Sequence, residues 1–333
     1  MSPMHIVYAC DDYYGEFLAT SMVSLFRNHR NHEIHIYILD CGICKETKNK
    51  LQYLCNEYKK EISFVLVSEY INRLPLNMGE RKISIASYAR LFLTSILPKE
   101  VDRILYLDCD TLVNGSLDGL WSKDLKDKLV GGVGDTVDLF FKEKLGLSGK
   151  EIYINAGVLL IPLATWRLEG LEEKFMETIK IFEGNVPHHD QGVLNLVCAN
   201  RKLVLPLKYN VTSNIYSFSR SSLLKMYEMK TFYKEKEMEE SKINPSIIHF
   251  TAGIVGRPWH EKCKHPKKYL YYFNRSLTPW EDRKLEKDNK NLQVKAFEFL
   301  YCSVNKKIAT SAYLCISKAL HYKENRNKKN KKI

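Results

Sequence analysis

Residues 105–113, LYLDCDTLV, decide how the rest of the chain is read. An apolar run, Leu105-Tyr106-Leu107, delivers two carboxylates, Asp108 and Asp110, to its end. Side chains two apart on an extended strand share a face, so both carboxylates can reach one cation. A divalent ion that keeps open positions can take diphosphate oxygens as further ligands and neutralise charge on a departing diphosphate. A bare Asp-x-Asp is common in helix caps and surface turns, so the weight comes from the strand before it.

The segments on either side supply that context. HIVYAC (5–10) reads as a strand, GEFLATSMVSLFRN (15–28) as an amphipathic helix and IHIYILD (34–40) as a second strand. A helix near 45–59, a strand ISFVLVS (62–68) and a helix containing SYARLFLTSIL (87–97) lead to RILYLDCD (103–110). The strands are continuous apolar runs, as expected when both faces of a parallel sheet are covered. Their alternation with helices implies right-handed βαβ units in an open α/β sheet, whose ligands bind at the carboxyl ends of the strands. Further on come LVGGVGD (129–135), INAGVLLIPL (154–163), a helix over about 165–183 and a helix starting in HHDQGVLNLV (188–197). Residues 206–245 read as irregular and polar, ending in the charged cluster KEKEMEESK (234–242). IIHFTAGIVGRPWH (247–260) is a strand entering a glycine-containing loop, and past Trp280 the pattern is helical.

Strand ends are therefore where chemistry is sought. His249 could complete a two-carboxylate site, and its nitrogen favours manganese over magnesium. Gly253 and Gly256 allow close approach of backbone to a phosphate, and Arg257 supplies a cation with bidentate phosphate geometry. Asp11, Asp12, Tyr13 and Tyr14 stand where the first strand ends, where a base could stack on a ring and bond to a carboxylate. Asp135 and the pair Asp190–Gln191 are the other polar groups at element ends on this edge.

Composition narrows the class. The 333 residues are 45% hydrophobic and 27% charged, with no apolar run long enough to span a membrane. The N-terminus has no secretory pattern, so a cytoplasmic protein is expected. Nine cysteines, several inside apolar runs, suit a reducing compartment; Cys41 and Cys44 have CxxC spacing but read as a turn around Gly42. Asn-x-Ser/Thr sequons at Asn114, Asn210 and Asn274 carry no meaning without secretion. Net charge is +12, but from Lys295 to the end ten Lys or Arg stand against two Glu, a balance of +8. The basicity belongs to a tail rather than a folded face, which argues against a nucleic-acid-binding protein.

Taken together, these blocks closely resemble glycosyltransferase family 8, whose bacterial members include lipopolysaccharide and lipooligosaccharide glucosyl- and galactosyltransferases. The resemblance runs from about Met4 to Trp259 through ACDDYY, ISIASYARL (83–91), LYLDCDTLV, Gly134–Asp135, INAGVLL, HDQGVLN (189–195) and HF followed by RPW. It implies a GT-A fold, a mixed and mainly parallel sheet flanked by helices, and retaining transfer from UDP-glucose or UDP-galactose to a saccharide or lipid-linked saccharide. It implies Asp108, Asp110 and His249 as ligands of Mn2+, with Mg2+ as the alternative. Asp11 would contact the uracil and Tyr14 would stack on it. Arg90, Asp135, Asn155, Asp190 and Gln191 would surround the donor sugar, with Asp190 and Gln191 nearest the anomeric carbon, and Gly253 and Arg257 would contact the diphosphate. Two departures stand out: Arg257 replaces the usual lysine in a longer loop, and Tyr13 replaces a smaller polar residue.

Either Asp190 attacks in a double displacement, or Gln191 supports the sugar cation during same-face attack. The second is favoured because an amide is a poor nucleophile. A nucleotidyltransferase is the rival enzymatic reading, but it would carry a glycine-rich basic loop where this chain has DDYY. Residues 1–280 are expected to form the catalytic domain. Residues 281–333 are expected to form a basic helical tail at an anionic membrane, placing the protein peripherally at the inner face. Phe297, Tyr301, Val304, Ile308, Ala312, Cys315 and Ala319 fall at helical spacing on one face, and the final KENRNKKNKKI is expected to be disordered.

Overall fold

The computed structural model describes residues 3–71, 85–288, 290–303 and 306–330. Ten strands appear in chain order: β1 (Met4–Cys10), β2 (Ile34–Asp40), β3 (Glu61–Leu66), β4 (Arg103–Leu107), β5 (Thr111–Val113), β6 (Val130–Gly134), β7 (Ile154–Pro162), β8 (Lys202–Val204), β9 (Val211–Thr212) and β10 (Ile247–His249). Seven of them form the main sheet, in the order β3-β2-β1-β4-β7-β6-β8, and β5-β10-β9 form a small second sheet.

Successive side chains on a strand point to opposite faces, and here both faces are packed. Ile6, Tyr8, Leu105, Leu107, Val158 and Leu160 enter one core, with Phe17 and Met22 of the helix Gly15–Asn28. Val7, Ile104, Tyr106, Leu159 and Ile161 enter the other, with Trp166, Phe175 and Val193. This double burial is why the strands read as unbroken apolar runs.

Strand β7 departs from the parallel arrangement, running antiparallel to β4 and β6, whereas the other adjacent pairs of this sheet among the described residues are parallel. The reversal positions the site. Leu107 pairs with Val158, so the beginning of β7, Asn155 to Gly157, lies beside the carboxyl end of β4. The end of β6 reaches the same edge, where the Asp135 amide donates to the Tyr153 carbonyl at 2.7 Å. The sheet is thus mixed and mainly parallel, as the sequence implies.

Several elements differ from the sequence expectation. The helix expected over 87–97 is two short ones, Ile85–Ala89 and Leu93–Ile96, broken where the Arg90 side chain turns into the site. The expected helix over 165–183 breaks at Gly170, whose φ of 59° is left-handed. Residues 206–245 are more ordered than their polarity suggests: they contain β9 and helices Ser213–Ser217, Arg220–Met226 and Glu235–Ile243, the last formed by the charged cluster. After Trp280, helix begins only at Leu292. Before it, Glu286 pairs its backbone with Trp259 and Glu261 at 2.8 and 2.7 Å, which requires extended chain.

The C-terminal stripe is split between two helices, Leu292–Ser303 and Lys306–Asn330. Tyr301 is buried against Phe218, whereas Ile308 and Cys315 face outward; Val304 lies outside the described residues. The backbone of the lysine-rich end continues as helix to Asn330 rather than being disordered, consistent with the helix propensity of its Lys, Glu and Arg residues. No helix of the described residues is long and apolar enough to cross a membrane.

Candidate active site

The three candidate metal ligands come together through a reversal and a strand pairing. After β4, the Thr111 amide and hydroxyl both bond to the Asp108 carbonyl, at 3.1 and 2.7 Å, turning the chain into β5. Strand β10 pairs with β5 so that His249 sits opposite Thr111. Its Nε2 lies 3.0 Å from Asp110 Oδ1 and 3.8 Å from Asp108 Oδ2, and one ligand atom from each of the three residues falls within 4.8 Å of the others. The Nδ1–H of His249 donates to Asn210 Oδ1 at 3.0 Å, leaving Nε2 free to ligate. Two carboxylates and an imidazole fit a divalent transition metal. Burial opposes ionisation of Asp110, but the adjacent His249 outweighs it and holds the carboxyl below its ordinary value. Burial likewise opposes the imidazolium, and Asp110 outweighs that too, raising the His249 pKa. Gly157 makes room for the cluster: a Cβ there would lie 2.6 Å from Asp108 Oδ2.

Arg90 links this cluster to Asp190. Its Nη2 meets Asp108 Oδ1 at 2.9 Å, its Nε meets Asp190 Oδ2 at 3.0 Å, and its Nη1 bonds to the Ala156 carbonyl. The guanidinium lies over the Tyr106 ring, 4.4 Å from its centroid. Asp190 opens the helix His189–Val197, and the preceding His188 and His189 both have left-handed φ. Gly192 permits that tight entry, because a Cβ there would collide with the Pro187 carbonyl. Burial raises the Asp190 carboxyl to about 6, against the pull of Arg90.

A hydrogen-bonded chain joins the remaining candidate residues. Asn210 Nδ2 donates to Asn155 Oδ1 at 2.8 Å, and Asn155 Nδ2 donates to Asp135 Oδ2 at 3.0 Å. Gln191 Nε2 donates to the same Asp135 oxygen at 3.1 Å, while its Oε1 accepts from the Ala156 amide at 3.0 Å. His249, Asn210, Asn155, Asp135 and Gln191 are thereby held in one network.

The open end of the site is a cleft of about 160 Å³ lined by Asp11, Tyr14, Ser87, Arg90, Tyr106, Asp108 and Asp110, among others. Asp11 Oδ1 accepts from the Tyr14 amide at 3.0 Å and fixes the turn. Burial raises the Tyr14 phenol to about 12, so it stays neutral. Arg257 lies 5.5 Å from the Trp259 ring centroid, and its charge is felt at both Tyr14 and Asp110. Gly253 does not line this cleft. It lines an apolar groove with Asn214, Phe218, Ile254 and Phe297, between the loop after β10 and the C-terminal helices.

Sequence reading passed over Gly157, Asn210, Ser87 and Tyr106. Gly157 carried a signal, a glycine inside a buried strand, which marks close approach of another group. Asn210 carried none, since it lies in a stretch that reads as irregular. Its place yields a prediction: Asn210→Ala should lower divalent-cation affinity roughly 10- to 100-fold while the fold survives. Calorimetric titration with Mn2+ measures this, and unchanged affinity would exclude Asn210 as the group that orients His249.

Comparison with known proteins places the chain in a family. A putative glycosyltransferase of Haemophilus influenzae is 30% identical over 267 residues, covering 79% of this chain and 74% of that protein. The lipopolysaccharide 1,2-glucosyltransferase of Escherichia coli is 25% identical over 288 residues, covering 84% and 79%. The galactosyltransferase LgtC, solved with donor and acceptor sugar analogues, superposes with a TM-score of 0.68 at 28% identity over 83% of this chain and 96% of that one. The model of glycosyl transferase family 8 matches residues 5–263, a span that includes every candidate site residue above, and the chain belongs to that family.

Proposed function

We propose that this glycosyltransferase moves glucose or galactose from its UDP-sugar to a saccharide acceptor, with retention at the anomeric carbon. The proposed acceptor is a lipopolysaccharide or lipooligosaccharide core or another cell-surface glycan, as the names of the relatives suggest. The observation that carries the reading is that Asp108 and Asp110 of the metal-fitting cluster open onto the same cleft as Asp11 and Tyr14. Asp108, Asp110 and His249 would hold Mn2+, with Mg2+ as the second choice. When bound, the cation supplies charge neutralisation for the departing diphosphate. Arg257 adds a fixed positive charge at the nucleotide end.

Same-face attack is the proposed course. Asp190 is engaged by Arg90, and both polar ends of the Gln191 amide are occupied, so neither is presented as a free nucleophile. The bond from the anomeric carbon to the diphosphate oxygen breaks, the acceptor oxygen bonds to that carbon, and the diphosphate takes the acceptor proton. Asp190 and Gln191 then serve to orient and stabilise the sugar as positive charge develops on it.

Three measurements test this account. Incubation with UDP-glucose or UDP-galactose and Mn2+ should release UDP. Asp110→Ala, or a chelator, should lower that release at least about 100-fold; release that survives both would overturn the assignment. Second, turnover should fall as pH drops through about 6, because a carboxyl raised to that value by burial gains its proton there. Cation binding at Asp108 removes a repulsive charge and moves this limb lower, so a limb that moves upward as Mn2+ is added would contradict the role of Asp190.

The third measurement concerns the membrane. We propose that the C-terminal helices rest on an anionic leaflet through Phe299, Ile316 and Tyr322, which are exposed, with basic residues near them each adding roughly 1 kcal/mol. Their inner side is fixed to the catalytic unit by Lys264 and Lys290 on Glu298, at 2.6 and 2.7 Å. Replacing those three exposed residues by Ser should abolish binding to phosphatidylglycerol vesicles at low salt and leave transfer to a soluble acceptor unchanged. Vesicle binding that persists would remove the anchor.

A further inference from the structure

Glu286 lies 273 residues from Tyr13 and outside the span matched by the family model, yet the two meet beside Tyr14, which lines the cleft. The Tyr13 hydroxyl donates to both carboxylate oxygens of Glu286, at 2.8 and 3.0 Å. The same carboxylate lies 3.3 Å from His260 Nε2 and 3.8 Å from Arg283 Nη2. Its backbone is paired with Trp259 and Glu261, so one residue holds both the turn before the first helix and the loop after β10.

Each side carries a candidate nucleotide contact. Tyr13 packs edge-on against Tyr14 at 5.3 Å and against Phe17 at 5.6 Å. Phe17 stacks on Trp259 at 4.2 Å, and Trp259 in turn supports Arg257. A second tie lies behind the first: the buried Glu16 carboxylate accepts from the Tyr271 hydroxyl at 3.1 Å and pairs with Arg283 at 3.1 Å and Arg275 at 3.4 Å. The helix after Tyr14 and the segment after Trp280 are thus bound together by charge as well as by packing.

We propose that Glu286 is a positioning residue, a clasp that fixes the spacing between Tyr14 and Arg257 and so sets affinity for the uridine diphosphate moiety. This rests on the reading in which those two residues contact the nucleotide. The bulky Tyr13 is then a buttress for Tyr14 rather than a contact with the ligand. A clasp of this kind acts on binding in the ground state and in the transition state alike, so it should move KM and not kcat.

The test uses the full chain with Tyr13→Phe, which removes only the hydroxyl of a half-exposed side chain, and Glu286→Gln, which keeps size and backbone pairing. The dissociation constant for UDP with Mn2+ is measured by calorimetry, beside KM and kcat for the UDP-sugar. Each variant should raise the UDP dissociation constant and KM roughly five- to tenfold. The value of kcat should stay within about twofold, and the double variant should be little worse than either single one. Variants that bind UDP as the wild type does, or that lose kcat at unchanged affinity, would overturn the clasp alone. A wild-type chain that binds no uridine nucleotide would overturn both the clasp and the donor assignment.

Discussion

Arg90 is the constraint on which the rest of the site depends. A buried guanidinium between Asp108 and Asp190 ties the metal-fitting cluster to the helix that carries Asp190 and Gln191. Burial works against its charge, and the two carboxylates more than offset that. Removing Arg90 leaves the two carboxylates without their shared counter-charge, at a cost of roughly 3–5 kcal/mol. The local helix breaks to let the side chain turn inward. Backbone regularity gives way at the point where this side chain enters the site.

Around that cation the fold brings distant segments to one edge. Parallel strands β1, β4 and β6 deliver Asp11, Asp108 and Asp135 at their carboxyl ends, as expected of an open α/β sheet. The antiparallel β7 contributes from its beginning instead, so Asn155 and Ala156 reach the same edge from the opposite direction. The small β5-β10-β9 sheet brings in His249. Each ligand is then oriented by a neighbour: Asn210 holds His249, Asn155 holds Asn210, and Asp135 holds both Asn155 and Gln191. Such a network fixes these candidate site residues relative to one another in advance, which reduces what must be ordered on binding.

The segment after Trp280 has a different character from the one its charge suggests. Arg283 and Glu286 reach back to Glu16, Tyr13 and His260, so the chain to that point is part of the catalytic unit's electrostatics. Only beyond Leu292 do exposed apolar side chains and lysines dominate. A charged run is ordinarily a solvated face. Here buried partners on the first helix turn part of it into a tie.

The sequence by itself determined the sheet, its layers and the candidate ligands. Apolar runs ending in Asp11, Asp108–Asp110 and His249 state which residues stand at strand ends, and family blocks add Arg90, Asp135, Asn155, Asp190 and Gln191. Those are local properties, set by hydrophobic period and by the residue at each strand's end. Tertiary structure decided the antiparallel pairing of β7, the break at Arg90, the order in 206–245, the placing of Gly253 on an apolar groove and the contact between Tyr13 and Glu286. None of these has a local signal, because each depends on partners tens to hundreds of residues away. Pairing register and buried charge, not propensity, fix them.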